Sequence, residues 1–242
     1  MLTAFLRHPV CRKHLSQIAT EDFAHYRDER LESIKPSTLK RQLSPLRNMF
    51  ELARTEWSLP IRENPLSNLL LKAPHQRRER RLKGGELESL IAATQNVRNK
   101  LVLPIILLAV ETGMRRSEVL QLEWRDLELK GRSLRLSQTK NGDLRLIPLS
   151  IRATEILRAV PRMNERIFPM SANAFRLAWE RLRARAGLSD LHFHDLRHEA
   201  ISRFFEMGLS VPEVALISGH RDPRMLFRYT HPLRETILKK LN

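Results

Sequence analysis

The stretch LHFHDLRHEA at 191–200 puts His194 three residues before Arg197, one turn apart on a helix. A neutral imidazole can pass a proton near neutral pH, and a guanidinium fork matches two phosphate oxygens. The pair therefore combines a proton handler with an anion clamp. Phosphoryl transfer also needs a nucleophile, and the chain has only two tyrosines. Tyr26 falls in a loose apolar stripe with Phe23, Leu31 and Ile34, which points to core packing. Tyr229 stands in FRYTH, nine residues after His220, flanked by Arg228, Thr230 and His231. A phenol ordinarily ionises at about pH 10. Neighbouring guanidinium groups favour the phenolate that attacks phosphorus.

A metal site explains the same histidines less well. His194 and His198 share a helix face, but Arg197 stands between them and no Glu or Cys lies at a metal-motif spacing. His192 and His198 are read as core residues.

The composition agrees with an anionic partner. Lys and Arg number 43 against 27 Asp and Glu in 242 residues, a formal charge of +16. A chain of this length buries roughly 70% of its unfolded surface, so it is a folded protein of one or two domains rather than a basic tail. Nucleic acid is the first candidate partner and an anionic membrane the second. The apolar stretch Leu101 to Val110 is too short to span a bilayer and contains Pro104, so no membrane association is expected. The N-terminus has no signal-peptide core, and the single Cys11 excludes an internal disulfide and a zinc finger and fits a reducing cytoplasm.

These groups must be positioned by a mainly α fold. A small all-helical basic lobe is expected over 1–74, a basic linker over 75–85 and a larger helical domain over 86–242. In the first, Leu39, Leu43, Leu46, Phe50 and Ala53 make one helix face with Ser37 as N-cap, and Pro45 predicts a kink or break. The run HQRRERRLKGG supplies Arg77, Arg78, Arg80, Arg81 and Lys83 to lie along a phosphate backbone between the two lobes. Beyond it, Glu86 to Thr94 and Lys100 to Glu111 read as helices, Gly113 caps the second and Ser117 begins a short third. Period-two alternation at Leu127/Leu129, Leu134/Leu136 and Leu144/Leu146, with turns at Gly131 and Asn141-Gly142, predicts a small three-stranded antiparallel sheet. Helices follow over Ile151 to Val160 and Ser171 to Ala186, and further helical pattern breaks at Gly208-Leu209 and Gly219.

Taken together, GMRRSE at 113–118, TKNG at 139–142, HDLRH at 194–198, SGH at 218–220 and RYTH at 228–231 resemble the tyrosine recombinase (phage integrase) family in order and approximate spacing. The likeness runs from about residue 80 to 235, and the helical lobe before it is similar to the family's core-binding domain. The resemblance implies a catalytic set of Arg115, Lys140, His194, Arg197, His220 and Tyr229. Glu118 matches an acidic position that steadies its helix. It also implies site-specific recombination of double-stranded DNA through a 3′-phosphotyrosine. Tyr229 attacks, Arg115 and Arg197 hold the non-bridging oxygens, and Lys140 protonates the departing 5′ oxygen. His194 accepts or relays the tyrosine proton, while His220 binds the phosphate or positions the tyrosine. No metal, cofactor or ATP is implied, because one ester replaces another. Assembly as a homo-tetramer on paired sites is implied too, with Leu233, Ile237 and Leu241 packing on a neighbour or on their own domain. Type IB topoisomerase chemistry and non-catalytic DNA binding are the alternatives.

Overall fold

The computed structural model describes residues 3–72, 78–136, 145–230 and 238. Backbone contacts divide the chain into two units, Met1–Arg78 and Glu79–Asn242. Among the described residues no helix is long and apolar enough to cross a membrane.

The first unit is helical: α1 (Thr3–Leu6), α2 (Thr20–Leu31) and α3 (Pro36–Thr55), with two 3-10 turns between α1 and α2. Its core joins Phe5, Phe23, Tyr26 and Phe50 in ring contacts with centroids 5.4–5.9 Å apart, and Tyr26 is 1% exposed, as its apolar spacing predicts. Leu39, Leu43, Leu46, Phe50 and Ala53 form the buried stripe of α3. Two expectations are corrected there. The N-cap is Lys35, not Ser37, because Pro36 at the first helical position presets φ and lacks only an N–H that would be unpaired anyway. Pro45 does not break α3. It sits on the exposed face, where solvent can serve the carbonyl it leaves unpaired.

The second unit is built around one buried apolar helix. α4 (Glu86–Thr94) leads to α5 (Val102–Thr112), which is apolar on nearly every side and buries seven of its residues between α7 (Ile151–Arg158) and α9 (Phe193–Glu206). Gly113 ends α5 at φ +63°, where a Cβ would lie 3.3 Å from the Ala200 Cβ of α9. Glycine is therefore required twice, for the left-handed cap and for the close approach of α5 to α9. A short α6 (Arg116–Leu120) follows, then β1 (Leu127–Glu128), β2 (Ser133–Leu136) and β3 (Arg145–Pro148) in an antiparallel sheet of order β1-β2-β3. α8 (Ala172–Arg185) packs Phe175 and Trp179 edge-on against Phe193, and α10 (Val211–Ser218) ends at Gly219. Two 3-10 turns, Pro223–Met225 and Phe227–Tyr229, close the described part.

In the sheet, Leu134 faces Ile147 and Leu136 faces Arg145. The phase of β3 is the reverse of the one read from Leu144/Leu146. Arg145 and Ile147 turn inward, with Arg145 8% exposed, while Leu146 is 51% exposed. An apolar residue faces outward because a charged one has a buried partner, as the site geometry explains. Leu144 and the Asn141-Gly142 turn lie outside the described residues.

Candidate active site

Four segments bring their polar side chains to one region of the second unit. Arg115 enters from the turn between α5 and α6, Arg197 and His198 from α9, His220 from just past α10, and Tyr229 from the last 3-10 turn. Lys140 lies outside the described residues, as do Leu233, Ile237 and Leu241.

The centre is Arg197, 4% exposed. Its Nη1 donates to the Gly113 carbonyl at 2.5 Å and its Nη2 to the Ser218 carbonyl at 2.7 Å, so one guanidinium ties together the C-terminal ends of α5 and α10. Both helices aim partial negative charge at it. Burial, then the charge of Arg115, lowers its pKa to about 10, which leaves it cationic at neutral pH.

Arg115 is organised by Glu118. The buried carboxylate accepts from the Arg115 Nη1 at 2.7 Å through Oε1, and through Oε2 from both the Arg115 backbone N–H at 2.8 Å and Arg145 Nη2 at 3.2 Å. Burial alone would raise the Glu118 carboxyl, but the Arg115 amide and the two guanidinium groups outweigh it and hold it below the usual carboxylate range. Glu118 is thus the shared counter-ion of two arginines. Arg145 is the residue that sequence reading missed. Burial pushes its pKa down against the pull of Glu118. The period-two pattern hid it, because leucines on both sides suggested the opposite phase.

His220 is half-buried. The Ser218 hydroxyl donates to the Val214 carbonyl at 2.6 Å, which leaves its oxygen to accept from His220 Nδ1 at 2.7 Å. His220 Nε2 then faces Arg197 Nη2 at 3.5 Å as an acceptor. Burial, with Arg197 and Arg115 nearby, pushes His220 down to about 4. The ring is therefore neutral and buttresses Arg197.

Tyr229 is half-buried, and its hydroxyl is hydrogen-bonded to His198 Nδ1. The expectation that nearby guanidinium groups favour the phenolate is corrected. Burial raises the Tyr229 pKa by more than Arg228 and Arg197 lower it, so the phenol is protonated. Arg228 stacks over the ring, with its guanidinium carbon 5.3 Å from the centroid. His198 is buried, as expected of a core residue, and its ring nitrogen is engaged by Tyr229. The signal for it was present in the sequence: it lies on the same helix face as His194, one turn on.

His194 is exposed and borders an open cavity of about 480 Å³ lined also by Met114, Arg116, Trp179, Arg183 and Arg197. Its ring meets that of His198 edge-on at 5.1 Å. Packing around the ring and the Arg197 charge hold it below the ordinary imidazole value. His192 is exposed, not a core residue, and its backbone N–H donates to Asp195 at the start of α9. Among the described residues no group of His, Cys, Asp and Glu is placed to hold a metal ion.

The basic run departs from the expectation that it lies free along a phosphate backbone. Arg80 pairs with Glu86 at 2.7 Å and Asp190 at 2.8 Å, and Arg81 with Glu199 at 3.0 Å and Glu206 at 2.5 Å. Three of these four carboxylates come from α4 and α9, so this stretch is folded onto the second unit. Partners more than a hundred residues away cannot be read from a local charge run. Lys83 is exposed, Arg78 falls at the end of the first unit, and Arg77 lies outside the described residues.

Residues 80–236 match the model of the phage integrase family. A shufflon-specific DNA recombinase of Escherichia coli is 39% identical over 98% of this chain and 64% of its own length. A putative integrase/recombinase of Haemophilus influenzae is 31% identical over 93% of this chain and 76% of its own. Among solved structures, a lambda integrase dimer bound to a COC′ core site superposes with a TM-score of 0.72 at 25% identity, over 87% of this chain and 82% of that one. The chain thus spans a little under two thirds of the Escherichia coli relative.

Proposed function

The chain belongs to the phage integrase family, and from that premise we propose that it is a site-specific recombinase that breaks and rejoins double-stranded DNA through a covalent 3′-phosphotyrosine. The observation that carries this reading is the convergence of Arg115, Arg197, His220 and Tyr229, from four separate segments, around one cationic surface. A scissile phosphate placed there meets two guanidinium groups preorganised by Glu118 and by two backbone carbonyls. The electrostatic stabilisation is already in place when charge develops on the non-bridging oxygens. Tyr229 attacks phosphorus and the 5′ oxygen leaves. Lys140 is proposed as the acid for that oxygen. His194, at the open edge of the site, is proposed to meet the phosphate or its neighbour, and His220 to hold Arg197 in register. Exchange of one phosphodiester for another keeps the bond energy, so rejoining needs neither ATP nor a metal.

Among the residues of the basic run, Arg77, Arg78 and Lys83 are proposed for backbone contacts. Assembly as a homo-tetramer on paired sites is proposed from the family.

A nicked suicide duplex library with a randomised core tests the activity. Wild-type protein is expected to form a denaturant-resistant adduct with a subset of sequences, and Tyr229→Phe none. An adduct that survives Tyr229→Phe, or no adduct across the library, overturns the reading.

A further inference from the structure

We propose that His198 is a further catalytic residue, whose Nδ1 takes the Tyr229 proton as the tyrosine attacks and returns it when the strands rejoin. This rests on the recombinase reading above and departs from the expectation that His194 handles that proton. Geometry separates the two histidines. His198 bonds the hydroxyl, with its ring 5.6 Å from the phenol ring and tilted by 33°. His194 meets the His198 ring edge-on at 5.1 Å and borders the open cavity. Both ends of the pair are anchored. His198 is 7% exposed on the central helix α9, and the Tyr229 turn is pinned by fully buried Leu226, whose carbonyl accepts from the Tyr229 N–H at 2.9 Å.

The proton balance closes. As the Tyr229 Oη–P bond forms and the P–O5′ bond breaks, the Oη proton passes to His198 Nδ1 and the departing O5′ takes a proton from Lys140. Rejoining runs each transfer backwards. The imidazole must start neutral, and its surroundings ensure it. Burial first, then His194 on α9 and Arg228 on the turn, with Arg197 adding and Asp195 opposing, hold His198 down to about 4. Such a base is weak against a free phenol. Two changes on binding DNA make the transfer favourable. The phosphate offsets the cations that depress the imidazole, and bonding to phosphorus makes the Oη proton strongly acidic.

Two measurements test the assignment. The first needs no DNA. In a Tyr26→Phe background Tyr229 is the only tyrosine, and ultraviolet titration reads its ionisation directly. His198→Ala is expected to shift that midpoint, and an unchanged midpoint overturns the pairing whether or not the protein proves to be a recombinase. The second uses a duplex selected from the suicide library. His198→Ala and His198→Gln are expected to form adduct at least about 100-fold more slowly, the usual worth of a general base. A 5′-bridging phosphorothiolate, whose sulfur leaves without protonation, is expected to rescue Lys140→Ala but neither His198 variant. Full activity in His198→Gln, which can accept a hydrogen bond but not a proton, overturns the base role. Rescue of the His198 variants by the sulfur substrate overturns it too, by placing His198 on the leaving group. Wild type that forms no adduct defeats the recombinase reading and the base role with it, and leaves the titration to decide the pairing alone.

Discussion

Arg145 fills the space beside Gly219: a Cβ built on that glycine would lie 1.5 Å from the Arg145 Nη1 atom and 2.7 Å from its Cζ. The end of α10 and the start of β3 are thereby fitted to each other, with a guanidinium as the filler. At φ +69° the position also disfavours any side chain. Gly219→Ala is expected to displace Arg145 and to lower both thermal stability and adduct formation. Gly208→Ala is the control. Its φ of +88° carries similar backbone strain, but nothing lies within 4 Å of the added atom, so its cost should stay at about 1 kcal/mol. Equal melting temperatures for the two variants would show that the fit of Arg145 against Gly219 is worth nothing.

Arg145 and Glu118 form a buried pair, and removing Arg145 leaves the buried carboxylate with Arg115 as its remaining cation. Arg145→Met is expected to cost about 3 kcal/mol in denaturant unfolding, within the range measured for broken buried pairs. In the double variant with Glu118→Gln much of that stability should return, because no buried carboxylate short of a cation remains. Strict additivity of the two single effects would contradict the pairing.

The two arginines proposed to hold the phosphate should behave differently. Arg115→Ala removes a partly exposed guanidinium and is expected to abolish adduct formation with little change in folding. Arg197→Ala leaves the Gly113 and Ser218 carbonyls without their buried donor, so it should lose stability as well as cleavage. Arg197→Lys separates the roles, since it keeps the charge but cannot reach both carbonyls with a planar fork. Calorimetry alongside the cleavage assay reads both effects.

His198 and His220 both titrate near pH 4 in the folded chain and near 6.5 when unfolded. The unfolded state therefore binds more protons between these values, and the stability held above pH 6.5 is lost as pH falls towards 4. Unfolding at pH 5 should take up about two protons from this pair. The fall in melting temperature from pH 7.5 to 5 should be shallower in His220→Gln than in wild type, and an identical fall would place that imidazole in solvent.

Salt dependence sorts the basic run. Removing a cation that neutralises one phosphate reduces the log–log slope of affinity against salt by about 0.9. Lys83→Ala should show that reduction. Arg81→Ala should instead lower the melting temperature and leave the slope intact, because its charge is already matched by Glu199 and Glu206.

Features encoded by local chemistry were legible before the fold. The α5 helix announces itself by apolar residues on every side, Gly113 by its place after them, and the α3 stripe by its spacing. The N-cap moved from Ser37 to Lys35 because Pro36 has a stronger positional preference than a serine hydroxyl has. Long-range pairing was not legible. The inward turn of Arg145 depends on a carboxylate 27 residues earlier, the partners of Arg80 and Arg81 lie on distant helices, and the Tyr229–His198 bond spans 31 residues. Even so, His198 could have been singled out, since it follows the same face as His194, although its position also fits a core residue.

The inverted phase of β3 makes strand alignment and chemistry a single variable. Side chains on a strand alternate faces, so a one-residue slip of β3 against β2 would bury Leu146 and expel Arg145 into solvent. Glu118 would then keep only one of its two cations, and the slot beside Gly219 would empty. A misaligned hairpin therefore disarms the site before any substrate arrives, and the sheet acts as a proofreader of its own assembly.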